Sequence, residues 1–130
     1  MDAELQIHNW LGGAQYDLDS AEVMYEEGRN AHCMTFCSHC IIKMLKAYWV
    51  RCKIEYPPRN DRPLYLAKHL ELELTEEQLD LLALLSVYTQ LPEDIRDWKA
   101  LRVNTKREVV GETFEKTERF IEWIKPKLRK

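Results

Sequence analysis

Glycine is scarce in this chain, four residues in 130, and internal repeats and low-complexity tracts are absent. That excludes a fibrous or disordered protein. No stretch of 18 uncharged apolar residues occurs, so no segment reads as a membrane span, and the first residues lack the basic-then-apolar pattern of a secretory leader. A cytoplasmic protein with no membrane partner is expected. Charge of one sign is lacking too: the formal net charge is −3 and the isoelectric point about 5.8. The molecule as a whole therefore has no strong pull towards a polyanion. Only Lys125-Pro126-Lys127-Leu128-Arg129-Lys130 is locally basic, a run that reads as a solubilising tail or as a contact to nucleic acid. No segment alternates apolar and polar residues with the period of two that a half-buried strand requires.

What is present is 45% apolar and 32% charged residues in a 15.5 kDa chain, enough for one domain, residues 1–130, with a core that needs neither metal nor disulfides. Three of the four cysteines fall in one short run, Cys33-Met34-Thr35-Phe36-Cys37-Ser38-His39-Cys40. Their C-x3-C-x2-C spacing matches the cluster-binding signature of radical S-adenosylmethionine enzymes. Such an enzyme needs a far thicker body to shield its cluster and its radical from solvent. The same positions stand at i, i+4 and i+7, one stripe of a helix, where thiols serve as small apolar side chains. A zinc ion with His32 or His39 as fourth ligand is the sharper alternative, but the three thiols would span about 10 Å along a straight helix. The expectation is reduced core thiols, no metal and no cofactor.

Hydrophobic spacing at three and four residues predicts an all-α protein, an up-down antiparallel bundle of four to five helices. The first helix runs from about Ala3 or Asn9 to Glu27, weakened near its start by Gly12-Gly13 and stopped by Gly28. The second runs from Asn30 to about Ile54, is apolar over more than half its circumference and is therefore central. Pro63 opens a short third helix. Thr75 to Gln78 form a capping box for a fourth, with Leu79, Leu82, Ala83, Leu85, Ser86 and Val87 inside, which reaches about Leu91 before Pro92. Residues 92 to 104 read as a polar connection with at most a helical turn. Thr105 and Glu108 form a second capping box, opening a last helix with Val109, Phe114, Thr117, Phe120, Ile121 and Ile124 inside and Pro126 at its close.

With the helices placed, the chain resembles the HEPN family, named for higher eukaryotes and prokaryotes nucleotide-binding. The first helix carries Trp10 and then Ala14-x-x-Asp17-Leu18-x-x-Ala21. The second carries Ala31, Phe36, Lys43 and Leu45-Lys46-Ala47. Pro57-Pro58 with His69-Leu70, Tyr88 with Pro92-Glu93, and Phe120-Ile121-Glu122-Trp123-Ile124 are similar to later segments of the family. Departures are Ser38-His39 at a Gln pair, Ile42 at a Glu, and Gln90-Leu91 at Arg-Tyr. The resemblance implies a helical homodimer, often encoded beside a minimal nucleotidyltransferase in a toxin-antitoxin setting, that binds a nucleotide or cleaves RNA. The ribonucleases of the family use an R-x4-6-H motif late in the chain, and no His follows His69 here.

Arg62 and His69 satisfy R-x6-H by spacing. On a helix they share a face about 10.5 Å apart along the axis, so Arg62 can steady a phosphate while His69 moves a proton at the ribose 2′-OH. The alternative is a solvated loop charge and a helix residue bonded to nearby backbone. His39 and Lys43, four residues apart, can form a polar notch for a phosphate or hydrogen-bond across the bundle. Asp17 interrupts an apolar stripe, with Lys43 or Lys46 as its natural partners; it is expected to pair with Lys46, the lysines otherwise joining His39 as nucleotide-phosphate contacts. Tyr88 reads as a core-edge or an interface group.

Overall fold

The computed structural model describes residues 1–90 and 94–129, with the side chains of Ile95 and Asn104 excepted. Helix α1 (Ala3–Glu26) begins where the Asp2 carboxylate accepts the Leu5 N–H at 3.1 Å. It ends in a turn through Gly28 at φ +74°, a left-handed position that glycine occupies without a Cβ penalty. Helix α2 (Asn30–Lys53) follows at once and returns antiparallel along α1, and the two pack more extensively than any other pair of elements. Each has 24 residues, about 36 Å of helix. Ile54 terminates α2 in the left-handed region at φ 50°.

The rest of the chain wraps this hairpin. Helix α3 (Pro63–His69) and helix α4 (Glu76–Ser86) pack on each other and on α2, and helix α5 (Ile95–Asn104) touches α2. Helix α6 (Arg107–Ile124) lies against α2, α1 and α4, and a 3₁₀ turn (Lys125–Leu128) folds back onto α2. Among the described residues there are six α-helices and no strand. The all-α reading holds, with more helices than the four to five expected.

The differences have local causes. The capping box at Thr75 and Gln78 forms with both of its bonds. Helix α4, however, ends at Ser86 rather than near Leu91, and Leu91, Pro92 and Glu93 lie outside the described residues, as does Lys130. Within α4 the buried leucines are Leu81, Leu82 and Leu85, while Leu79, Ala83 and Ser86, and Val87 just beyond the helix, face solvent. The polar connection contains a ten-residue helix, α5, capped by Asp94, whose side chain accepts the Arg96 N–H at 2.8 Å. Thr105 does not cap α6. Its hydroxyl donates to the Leu101 carbonyl at 2.6 Å and so accepts the Tyr88 hydroxyl at 2.8 Å, which makes buried Tyr88 a core-edge residue. Helix α6 then buries Val110 and Thr113 in place of Val109, positions three and four residues before each next member of the stripe that ends in Thr117, Phe120, Ile121 and Ile124.

The core runs along α2. Ile41, Leu45, Leu66, Leu82, Leu85 and Phe120 are essentially inaccessible, and burying each such side chain contributes about 1.5–3 kcal/mol. Arg107 pins α6 to the α1–α2 turn, its guanidinium 3.7 Å from the centre of the Tyr25 ring while donating to the Tyr25 carbonyl at 2.7 Å. Gly111 leaves room for that ring, since a Cβ there would stand 3.1 Å from the Tyr25 hydroxyl.

Candidate functional site

Two adjacent stripes of α2 meet different surroundings. Cys33, Cys37 and Cys40 all point into the core, with free thiols. A hydrogen bond from Cys37 holds the Cys33 thiol below its usual range, and the same contact, with burial, pushes Cys37 well above it. Burial, and then the Asp17 carboxylate, push Cys40 up to about 12. Among the described residues no group of three or more His, Cys, Asp or Glu is placed to hold a metal ion.

One residue earlier along the helix, His32, Phe36 and His39 form a half-buried stripe that opens into a cleft of about 440 Å³. Thr35, Asp61, Thr89 and Gln90 complete its wall. The Phe36 and His39 rings meet edge to face at 6.3 Å. His39 Nε2 lies 2.7 Å from the Thr89 carbonyl oxygen. A carbonyl only accepts, so Nε2 carries the proton and Nδ1 keeps its lone pair. Next to this cleft is a second, of about 380 Å³, walled by Arg29, Asn30, His32, Trp98 and Arg102, with the single carboxylate of Glu27 against the two arginines. His32 divides the two and meets Trp98 edge-on at 5.3 Å. An aromatic slot thus adjoins a basic one on the same side of α2.

The stripe continues to Lys43 and Lys46, and each lysine is already engaged. Lys43 Nζ sits 2.6 Å from Asp17 Oδ2, an ion pair whose carboxylate is buried. Asp17 therefore pairs with Lys43 and not, as expected, with Lys46. The reason is the approach of α1: a Cβ at Gly13 would come within 3.1 Å of Lys43 Cδ, so glycine opens the channel through which that side chain reaches Asp17. Lys46 turns the other way, bonds Asp61 of the α2–α3 loop at 2.8 Å and lies over the Trp10 ring. Because Asp61 lines the aromatic cleft, Lys46 reaches it through that carboxylate. His39 and Lys43 face different neighbours, Thr89 and Asp17, and do not converge on one point.

Arg62 and His69 stand at opposite ends of α3, Arg62 as its N-cap and His69 as its last residue, both exposed. No hydrogen bond joins their side chains among the described residues. The Arg62 N–H donates to Asn60 Oδ1 at 2.9 Å. His69 Nδ1 lies 2.9 Å from the Tyr65 carbonyl, with its ring 4.1 Å from that of Tyr65 and 6.4 Å from that of Trp49. In the neutral ring Nδ1 is accordingly the nitrogen that carries the hydrogen.

Thr89 and Asp61 beside His39, and Trp98, Arg29 and Arg102 beside His32, were not foreseen. His32 and Phe36 carried a usable signal, since with His39 they repeat the i, i+4, i+7 spacing of the cysteines one residue out of phase. The others come from distant segments and have no local signature. A family model described as HEPN domain matches residues 7–127 of the chain. No curated protein and no solved structure matches it.

Proposed function

The chain belongs to the HEPN domain family, and on that premise we propose that it is a nucleotide-binding module, a cytoplasmic homodimer that associates with a minimal nucleotidyltransferase in a toxin-antitoxin setting. The observation that carries this reading is the paired cleft divided by His32, aromatic on one side and basic on the other. A nucleobase stacks in the slot of Phe36 and His39, with Asp61 and the free Nδ1 of His39 accepting from its edge or from the ribose. The phosphates run towards Arg29, about two to three helical turns or 10–15 Å along α2 from Phe36 and His39, and towards Arg102 of α5 beside it. Lys46 holds Asp61 in place, and Lys43 is spent on Asp17 unless a ligand displaces that carboxylate.

Calorimetric titration of the purified protein with AMP, ATP and GTP tests this. Saturable binding weakened about tenfold by Phe36→Ala or His39→Ala supports it, the loss of one stacking partner being about 1–3 kcal/mol. No binding, or binding indifferent to both substitutions, overturns it. Sedimentation and co-expression with the nucleotidyltransferase encoded nearest to it test the assembly.

The orientation of His69 favours a second reading, a metal-independent ribonuclease. With Nδ1 held at the Tyr65 carbonyl, Nε2 of the exposed His69 is the nitrogen left to exchange a proton, and Arg62 at the other end of the same helix would steady the adjoining phosphate. Cleavage of RNA in the presence of a chelator, lost in His69→Ala, would establish it; an inert protein across a range of RNAs removes it.

A further inference from the structure

A third cleft, of about 610 Å³, opens between α1, α2, the end of α6 and the 3₁₀ turn, on residues that neither reading above employs. The volume falls in the range of small-molecule sites. Its floor is aliphatic, made by Ile7, Leu11, Ala14, Met44, Ile121 and Leu128. Cys40 completes that floor, and with burial pushing its thiol up to about 12 it lines the cleft as a neutral, weakly polar group. Among the described residues no Phe, Tyr or Trp lines it and His8 is the one ring beside it, so a nucleobase would find no pair of faces to stack between.

The rim has the opposite character. Arg51, Lys125 and Arg129 face one carboxylate, Glu4. Arg51 is a strut: it grips Glu4 with two bonds of 2.7 and 3.2 Å and donates through Nε to the Leu128 carbonyl at 2.7 Å, tying α2 to α1 and to the 3₁₀ turn. Arg51 and Glu4 so offset each other, and among the described residues Lys125 and Arg129 remain as cations at the rim, with His8 beside them. Lys125 has a solvent-exposed 3.2 Å pair with Glu122, which a competing anion can replace, and the exposed Arg129 side chain has no hydrogen bond or ion pair among the described residues.

We propose that this cleft binds an aliphatic carboxylate, its hydrocarbon chain laid on the floor and its carboxylate held at the rim by Arg129 and Lys125. Apolar burial sets the affinity, and the two cations set the sign of the head group.

Titration calorimetry of the whole chain with hexanoate, octanoate and decanoate, and with decanol and decyltrimethylammonium, tests it. Expected is one site per chain whose affinity rises about fourfold per added methylene, the equivalent of 0.8 kcal/mol. Decanoate should bind more tightly than decanol, and decyltrimethylammonium most weakly. Arg129→Glu, at an exposed position, should weaken decanoate about five- to tenfold while leaving the melting temperature and decanol binding unchanged. Leu11→Asp should abolish binding with far-ultraviolet circular dichroism intact, and ATP should not displace decanoate. No saturable decanoate binding, equal affinity for the ammonium amphiphile, or an Arg129→Glu variant that binds decanoate as the parent does would each overturn the proposal.

Discussion

Cys33, Cys37 and Cys40 and their immediate predecessors in phase, His32, Phe36 and His39, occupy neighbouring stripes of one helix, about 100° apart. The first stripe is fully buried among apolar side chains with Thr117 of α6 nearby, and the second is half open beside Thr89, Trp98 and Asp61. Spacing is identical in the two. What differs is the neighbour each meets, so a ligand-like pattern becomes a site only where the partner elements leave a gap. Around Cys33 and Cys37 they leave none, and the buried Cys40 meets only the floor of the aliphatic cleft, so the thiols fill space.

The contrast can be broken most sharply by thiol labelling. Cys52 is exposed while the other three cysteines are inaccessible, so an alkylating reagent under native conditions should modify Cys52 alone, at least about 10³-fold faster than the rest. Mass spectrometry showing early modification of Cys33, Cys37 or Cys40 would mean that the buried stripe is not closed. Next in size, Ile41→Ala, on the continuation of the buried stripe, should cost about 2–5 kcal/mol in urea denaturation. His39→Ala, on the open stripe, should cost only about 1 kcal/mol, the bond to Thr89, while weakening nucleotide binding. Comparable losses at the two positions would erase the distinction.

Where the open stripe closes, at Lys43, an intermediate effect is expected. Lys43→Ala leaves Asp17 buried without its cation and should cost about 2 kcal/mol, discounted for the partial exposure of the lysine. Much of that loss should return in a Lys43→Ala, Asp17→Asn double variant, and strictly additive effects would show that the pair does not couple. The smallest test lies across the hairpin. Gly12→Ala meets no atom within 4 Å and should stabilise α1 by about 0.5–1 kcal/mol, whereas Gly13→Ala presses on Lys43 and should give no gain. Equal gains at both would show that the lysine channel has no role.

Much of the fold was legible. The α1–α2 hairpin, the proline start of α3, the capping box of α4 and the lower part of α6 follow from spacing and punctuation within a few residues. Helix α5 has a weak signal because, among its described side chains, only Trp98 and Leu101 are half-buried and most of the rest are polar and exposed. Thr105 misled because a hydroxyl three residues before a glutamate is a capping signal only if no nearer carbonyl claims it, and that of Leu101 does. In the site, the notch expected of His39 and Lys43 does not form, and of the two lysines that spacing offers to Asp17 the packing selects Lys43 over the favoured Lys46.

The sequence by itself determined the helical class, the central place of α2 and the family, because periodicity records which residues share a face and short motifs record local turns. Only the tertiary structure decided that Lys43 meets Asp17, that Lys46 meets Asp61, that His39 is held by Thr89, and that an aliphatic cleft with a cationic rim lies at the far side of the hairpin. Those outcomes depend on helix rotation and on the room left by residues such as Gly13, distances set between segments far apart in the chain, on which local spacing carries no information.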